Sequence, residues 1–183
     1  MANYDSAYTG AQIDDGIRRA RTYDFGWQNF QDTATATTPI NLVSANTWYD
    51  LTNNAAGPLT STAYKVPGHG AIWNSTNNTL DFSSLAVGDV IRFRFDVLVT
   101  SGGANQNFFA RLAFGPSFGF SNVFSRTAFK SATTDGQIFR YVSFAMLTSD
   151  TQSNPEKFQM QSDAAGNTVK VNGWLIETQV FVS

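Results

Sequence analysis

The 183-residue chain reads as all-β: an antiparallel two-layer sandwich preceded by one short N-terminal helix. Three observations predict this. Short runs rich in Val, Ile, Phe and Tyr, punctuated by Thr, Ser, Asn and Gly, begin at Tyr23 and continue to the end of the chain. In the clearest runs apolar and polar residues alternate with a period of two, as strands with one buried face require. Only residues 9–22 carry apolar residues at helical spacing.

The helix comes first. Thr9 as N-cap and Gln12 at N3 fit a capping box. Ile13, Ile17 and Ala20 follow on one face, and Arg18, Arg19 and Arg21 favour the C-terminal end of the dipole. A lone helix of about four turns is marginal in water, so its apolar stripe must dock. It either packs on its own domain or gathers with copies of itself or with a larger assembly. The division expected is residues 1–24 as an anchoring, trimerising segment and residues 25–183 as the sandwich. Residues 23–38 are the only linker-like stretch.

The strands follow. In residues 89–100, Ile91, Phe93, Phe95, Val97 and Val99 alternate with a wetter face carrying Arg92, Arg94 and Asp96. Phe108, Ala110, Leu112 and Phe114 repeat the pattern, with Arg111 opposite, and residues 120–130 read as a further strand. Residues 138–147 are apolar on both faces: Ile138, Val142, Phe144 and Met146 against Phe139, Tyr141, Ala145 and Leu147. Such a strand is central in a sandwich or lies at a subunit contact. A last hairpin runs from Phe158 and Met160 through Ala164-Ala165-Gly166-Asn167 to Val169, Val171, Trp174 and Ile176. A parity slip at Asn172-Gly173 predicts a bulge. Eight to ten strands in one pair of layers are implied, with Pro39, Pro58, Pro67, Pro116 and Pro155 in loops or at strand ends.

Composition narrows the function. Charged residues are 14% of the chain, well below the roughly 25% usual in soluble domains, and sixteen residues are Phe. Few charges with many aromatics point to surface covered by another subunit. A net charge of -2 gives no reason to expect nucleic acid as partner. There is no cysteine, hence no disulfide or thiolate metal site. The opening residues form no signal peptide, and no apolar run approaches the ~20 residues of a spanning helix. Synthesis in a cytoplasm, without membrane insertion, is expected.

Candidate chemistry reduces to ordinary β-protein features. Gly115-Pro116-Ser117-Phe118-Gly119 matches a nucleophile-elbow pattern, but that motif needs a following helix and a histidine after the acid. The single histidine, His69, lies upstream, and one imidazole does not make a metal site. Twelve Asp and two Glu include no pair spaced as glycosidase carboxylates, and Asp50, Asp81, Asp135 and Asp163 sit in turn-like contexts. No catalytic residue, metal or cofactor is therefore expected. Trp48 and Trp73 are the candidates for a carbohydrate platform, although aromatics of a sandwich more often serve core or interface.

Several stretches resemble a family of small bacteriophage virion proteins with a tumour necrosis factor-like or C1q-like jelly roll. They are Thr47-Trp48-Tyr49-Asp50-Leu51-Thr52-Asn53 with Gly57-Pro58; Ile72-Trp73-Asn74; residues 80–85 leading into Val87-Gly88-Asp89; and Val169-Lys170-Val171-Asn172-Gly173-Trp174, while Tyr8-Thr9-Gly10-Ala11-Gln12-Ile13-Asp14 resembles the short helical segments near the N-termini of phage fibre and tail-associated proteins. The resemblance implies a homotrimer of jelly rolls with the helices at one end. It implies a structural or adhesive place on the virion, as tail fibre, head fibre, spike or capsid decoration, bound to capsid, portal or tail proteins. Phe139 and Tyr141 are then the expected subunit interface, near the threefold axis. The alternative is a lectin-like module that uses Trp48 and Trp73 to bind a host-surface glycan.

Overall fold

Strict alternation sets the layers. In the computed structural model, which describes residue 9 and residues 23–114, 121–145 and 149–181, the chain forms eleven strands and two short helices among those residues. They run β1 Asp24–Gln31, α1 Ala34–Thr37, β2 Ile40–Leu42, β3 Tyr49–Asp50, β4 Trp73–Asn74, β5 Thr79–Leu80, β6 Val90–Ser101, β7 Gln106–Ala113 and β8 Ser121–Phe129. Then come β9 Thr133–Ala145, α2 Ser149–Ser153, β10 Lys157–Ser162 and β11 Asn167–Val180. The fold is the expected antiparallel jelly-roll sandwich.

One sheet has the order β1-β11-β6-β9, and β2 also pairs with β11; the other has the order β3-β10-β7-β8; β4 and β5 form a separate ribbon. All pairings between strands are antiparallel. Ile91, Phe93, Phe95, Val97 and Val99 of β6 are all buried, as their spacing demands. They meet Phe108, Ala110 and Leu112 of β7 and Phe158 and Met160 of β10 in a single core. Its centre is aromatic: Phe158 lies 4.6 Å from Trp174 and 4.9 Å from Phe93 between ring centroids, and Phe95 stacks on Trp174 at 5.5 Å. Burying rings of this size supplies most of the driving force.

The two partners of β11 on one edge leave a gap. β1 runs along Gly173–Val180 and β2 along Asn167–Val169, which strands Val171 between them. Thr35 of α1 fills it: its hydroxyl accepts from Val171 N at 2.7 Å and is 3.3 Å from Val171 O. Asp32 holds Thr35 by accepting from its amide at 2.7 Å and its hydroxyl at 2.6 Å. The bulge expected at Asn172-Gly173 lies beside this plug, with the register shifting between Val171 and Gly173. Gly173 has φ +153°, and a Cβ there would lie 2.5 Å from Phe30 O, so only glycine fits.

Three expectations change. The last two strands are not a hairpin: β10 pairs with β3 and β7, whereas β11 pairs with β1, β2 and β6, so the turn crosses between sheets. Alternating apolar residues fill the core equally from either layer, and only the turn reveals the crossing. There Asn167 donates to Ser162 Oγ at 2.8 Å and to Ala164 O at 3.2 Å, and its Oδ1 accepts from Gly102 N. Residues 23–38 are not a linker, because Asp24–Gln31 forms β1. The two-residue strands β3, β4 and β5 are too short for periodicity to register and raise the count above ten. Of the expected helix, Gln12, Ile13, Ile17 and Ala20 lie outside the described residues; Thr9 is described and exposed. Residues 115–119 and Met146 and Leu147 also lie outside them.

Candidate functional site

A sandwich offers its two outer faces to partners, and both carry aromatic side chains here. On the first sheet, the alternation of β9 sends Ile138, Val142 and Phe144 toward the core and Phe139 and Tyr141 outward. Phe139 is 38% and Tyr141 64% exposed. Their rings meet edge to face at 5.3 Å and 78°. Arg94, opposite Tyr141 in register, lies with its guanidinium carbon 5.8 Å from the Phe139 ring. Its Nε is buried and has no hydrogen-bond partner among the described residues. Asp96, opposite Phe139, accepts from Asn172 at 3.0 Å and Gln137 at 3.1 Å. Beside them lies a polar hollow of about 260 Å³, walled by Asn29, Gln31, Leu59, Arg94, Asp96, Asn172 and Gly173.

The second outer face also sets arginines against rings. Trp48, just before β3, is half-buried, and the Arg111 guanidinium of β7 lies 4.1 Å from its ring. Arg111 donates through Nε to Gln159 Oε1 at 2.7 Å. Gln159 donates to Asp50 Oδ1, and Lys157 pairs with Asp50 Oδ2. Burial by itself pushes Asp50 up, but these two hydrogen bonds and the charges of Lys157 and Arg111 hold its carboxyl below the usual range. One register step along, Arg126 of β8 faces Phe109 of β7, 5.5 Å from its ring. An arginine on an aromatic face contributes roughly 0.5–1 kcal/mol at exposed sites.

Trp73 corrects an expectation. It is 4% exposed, stacks near Phe158 and Trp174, and donates its indole N–H to Asn53 O at 2.9 Å. A ring sealed in the core is not available to a glycan. Trp48 alone of the two expected platform residues stands at the surface. Elsewhere, Trp27 stacks on the exposed Tyr64 at 4.7 Å. His69 sits in a loop tied by Lys65, which donates to its carbonyl. Among the described residues no group of three His, Cys, Asp or Glu is placed to hold a metal, and no helix is long and apolar enough to cross a membrane.

Periodicity had placed Arg94 and Arg111 on outer faces, but not their ring partners. Those depend on which strands are neighbours, which no single strand encodes. Glu156 was missed altogether. Its parity matches Phe158, Met160 and Ser162, so it points inward, and it is 0% exposed. Its backbone is fixed by a bridge to Leu80, with N···O distances of 3.0 and 2.7 Å. Neither carboxyl oxygen has a hydrogen-bond partner among the described residues, and burial pushes its pKa up to about 9.

No protein-family model and no curated protein matches the chain. Among solved structures it is similar to murine APRIL at pH 5.0, with 7% identity, a TM-score of 0.48, and coverage of 86% of this chain and 100% of that one. It is similar to Eiger TNF from S. frugiperda, with 10% identity, a TM-score of 0.43 and coverage of 89% and 96%. It is also similar to the PRD1 vertex protein P5, with 14% identity, a TM-score of 0.41 and coverage of 88% and 98%. At such identities and TM-scores the surface chemistry has to be read from this chain alone.

Proposed function

We propose that the chain is a non-enzymatic structural protein of a bacteriophage particle surface, a homotrimeric fibre, spike or capsid-decorating protein anchored through residues 1–24. The place on a particle rests on the sequence resemblance. The oligomer rests on one observation of the fold: β9 fills the core with Ile138, Val142 and Phe144 and still presents Phe139 and Tyr141 outward, where its own domain has no use for them. Aromatics of this kind favour interface centres, because they bury large area at small entropic cost. Sedimentation equilibrium of the intact chain tests this. A mass three times 20.0 kDa is the expected result, and a monomer at micromolar concentration contradicts it.

A second reading is favoured by Trp48. This half-buried ring lies on the opposite sheet, with Arg111, Gln159 and Asp50 around it. An aromatic platform rimmed by polar groups suits a sugar, and it stays open in a particle protein that contacts its own copies through the other sheet.

A further inference from the structure

We infer that the outer face of the β3-β10-β7-β8 sheet binds an anionic sugar, with Trp48 and Phe109 as the stacking surface and Arg111 and Arg126 as the recipients of its acid group. This rests on the glycan-binding reading and deepens it.

The first ground is charge. The patch carries Arg111, Arg126 and Lys157 against Asp50 and Asp163, three positive charges and two negative, hence +1 on a chain whose net charge is -2. Both carboxylates are already committed, because Asp50 accepts from Lys157 and Gln159 and Asp163 accepts from the Asn107 backbone and side-chain amides. Neither accepts a hydrogen bond from the arginines. The second ground is unused donor capacity. Arg111 spends only its Nε, on Gln159, and Arg126 makes no hydrogen bond among the described residues. A guanidinium has five N–H donors in a planar fork that matches carboxylate and sulfate. Each guanidinium here is steadied against a ring, so less freedom is lost when it engages a ligand.

The third ground separates a sugar from a bare anion. Trp48 and Phe109 lie in the row of the sheet next to Arg111: Gln161 pairs with Phe109, which pairs with Arg126, while Gln159 pairs with both Arg111 and Asp50. Aromatic faces, amide side chains and arginines thus alternate over two adjacent rows. Rings accept the C–H face of a pyranose, Gln159 and Gln161 suit its hydroxyls, and the arginines suit a carboxylate or sulfate. An overall acidic chain disfavours a long polyphosphate backbone on the same patch.

The test is titration calorimetry of the intact chain with lactose, sialyllactose and sulfated lactose. Binding of sialyllactose or sulfated lactose is expected, about tenfold or more tighter than lactose, and whichever binds better identifies carboxylate or sulfate as the acid group. Arg111→Gln and Arg126→Gln should each weaken it about tenfold while leaving the β spectrum unchanged. Trp48→Ala should weaken it as much, and Arg92→Gln on the other sheet should leave it unaltered. Equal affinity for all three sugars would overturn the anionic inference and leave the glycan reading standing. No binding of any of them would overturn both. Acid-sugar binding indifferent to Arg111→Gln and Arg126→Gln would overturn the assignment of the site.

Discussion

Replacing Glu156 by glutamine should change how stability depends on pH more than any other single substitution. Its carboxyl is fully buried, lacks a hydrogen-bond partner among the described residues, and is pushed from 4.5 up to about 9 by burial. In the unfolded chain the group loses its proton near 4.5; in the folded protein it keeps the proton to about 9. Folding between those values takes up one proton, so the stability present below 4.5 is lost progressively as pH rises to about 9. The slope is about 1.4 kcal/mol per pH unit, which over roughly three units amounts to about 4 kcal/mol near pH 7.5. That is a large share of a typical domain's 5–15 kcal/mol. Glu156→Gln keeps the size and a neutral polar head but removes the titration. Urea unfolding followed by circular dichroism from about pH 5 to about pH 8.5 measures the difference. The variant should match the parent near pH 5 and exceed it by about 3–4 kcal/mol near pH 7.5. Asp50 does not interfere, since its lowered pKa confines its contribution to more acid conditions. Parallel curves for parent and variant across this range would refute the reasoning.

Other substitutions probe the architecture. Thr35→Val removes the hydroxyl that serves Val171 and leaves that backbone N–H buried without an acceptor, so denaturation should show a loss of about 1–3 kcal/mol. Gly173→Ala forces a Cβ to 2.5 Å from Phe30 O at φ +153°; a loss of about 2 kcal/mol or more is expected, with a lowered Tm. Trp73→Ala opens the core and should cost about 3–5 kcal/mol, whereas Trp48→Ala should cost about 1 kcal/mol or less, and thermal melts of the two separate core from platform.

The layers of this fold were legible because β6, β7 and β9 to β11 are long enough for a period of two to repeat several times. Ile91 to Val99 on alternate positions needs no partner to be read as one face. Even the bulge showed, as a break in parity at Asn172-Gly173. What escaped was pairing. Phe158 and Met160 bury the same apolar area whichever sheet they join, so the crossing from β10 to β11 left no periodic trace. The same holds for the surfaces. Phe139 and Tyr141 were visible as a second apolar face, but the arginine–ring pairs Arg111–Trp48 and Arg126–Phe109 arise from neighbours distant in sequence. Trp73 misled because a two-residue strand carries no periodicity, and its burial comes from Phe158 and Trp174, far along the chain. Glu156 sat on the inward parity of β10, but one acid at a strand's start looks like a solvated end.

The outward face of β9 as a subunit contact is tested most directly by placing a charge on it. Tyr141→Asp and Phe139→Asp would each put a carboxylate where a dry interface offers it no partner, at a cost of several kcal/mol. Since both side chains are exposed on the isolated subunit, neither change should disturb the fold itself. Sedimentation velocity beside circular dichroism should find dissociated, fully β-structured subunits for at least one variant, against a trimeric parent. Two variants that both remain trimeric and folded would put the contact elsewhere and contradict the claim.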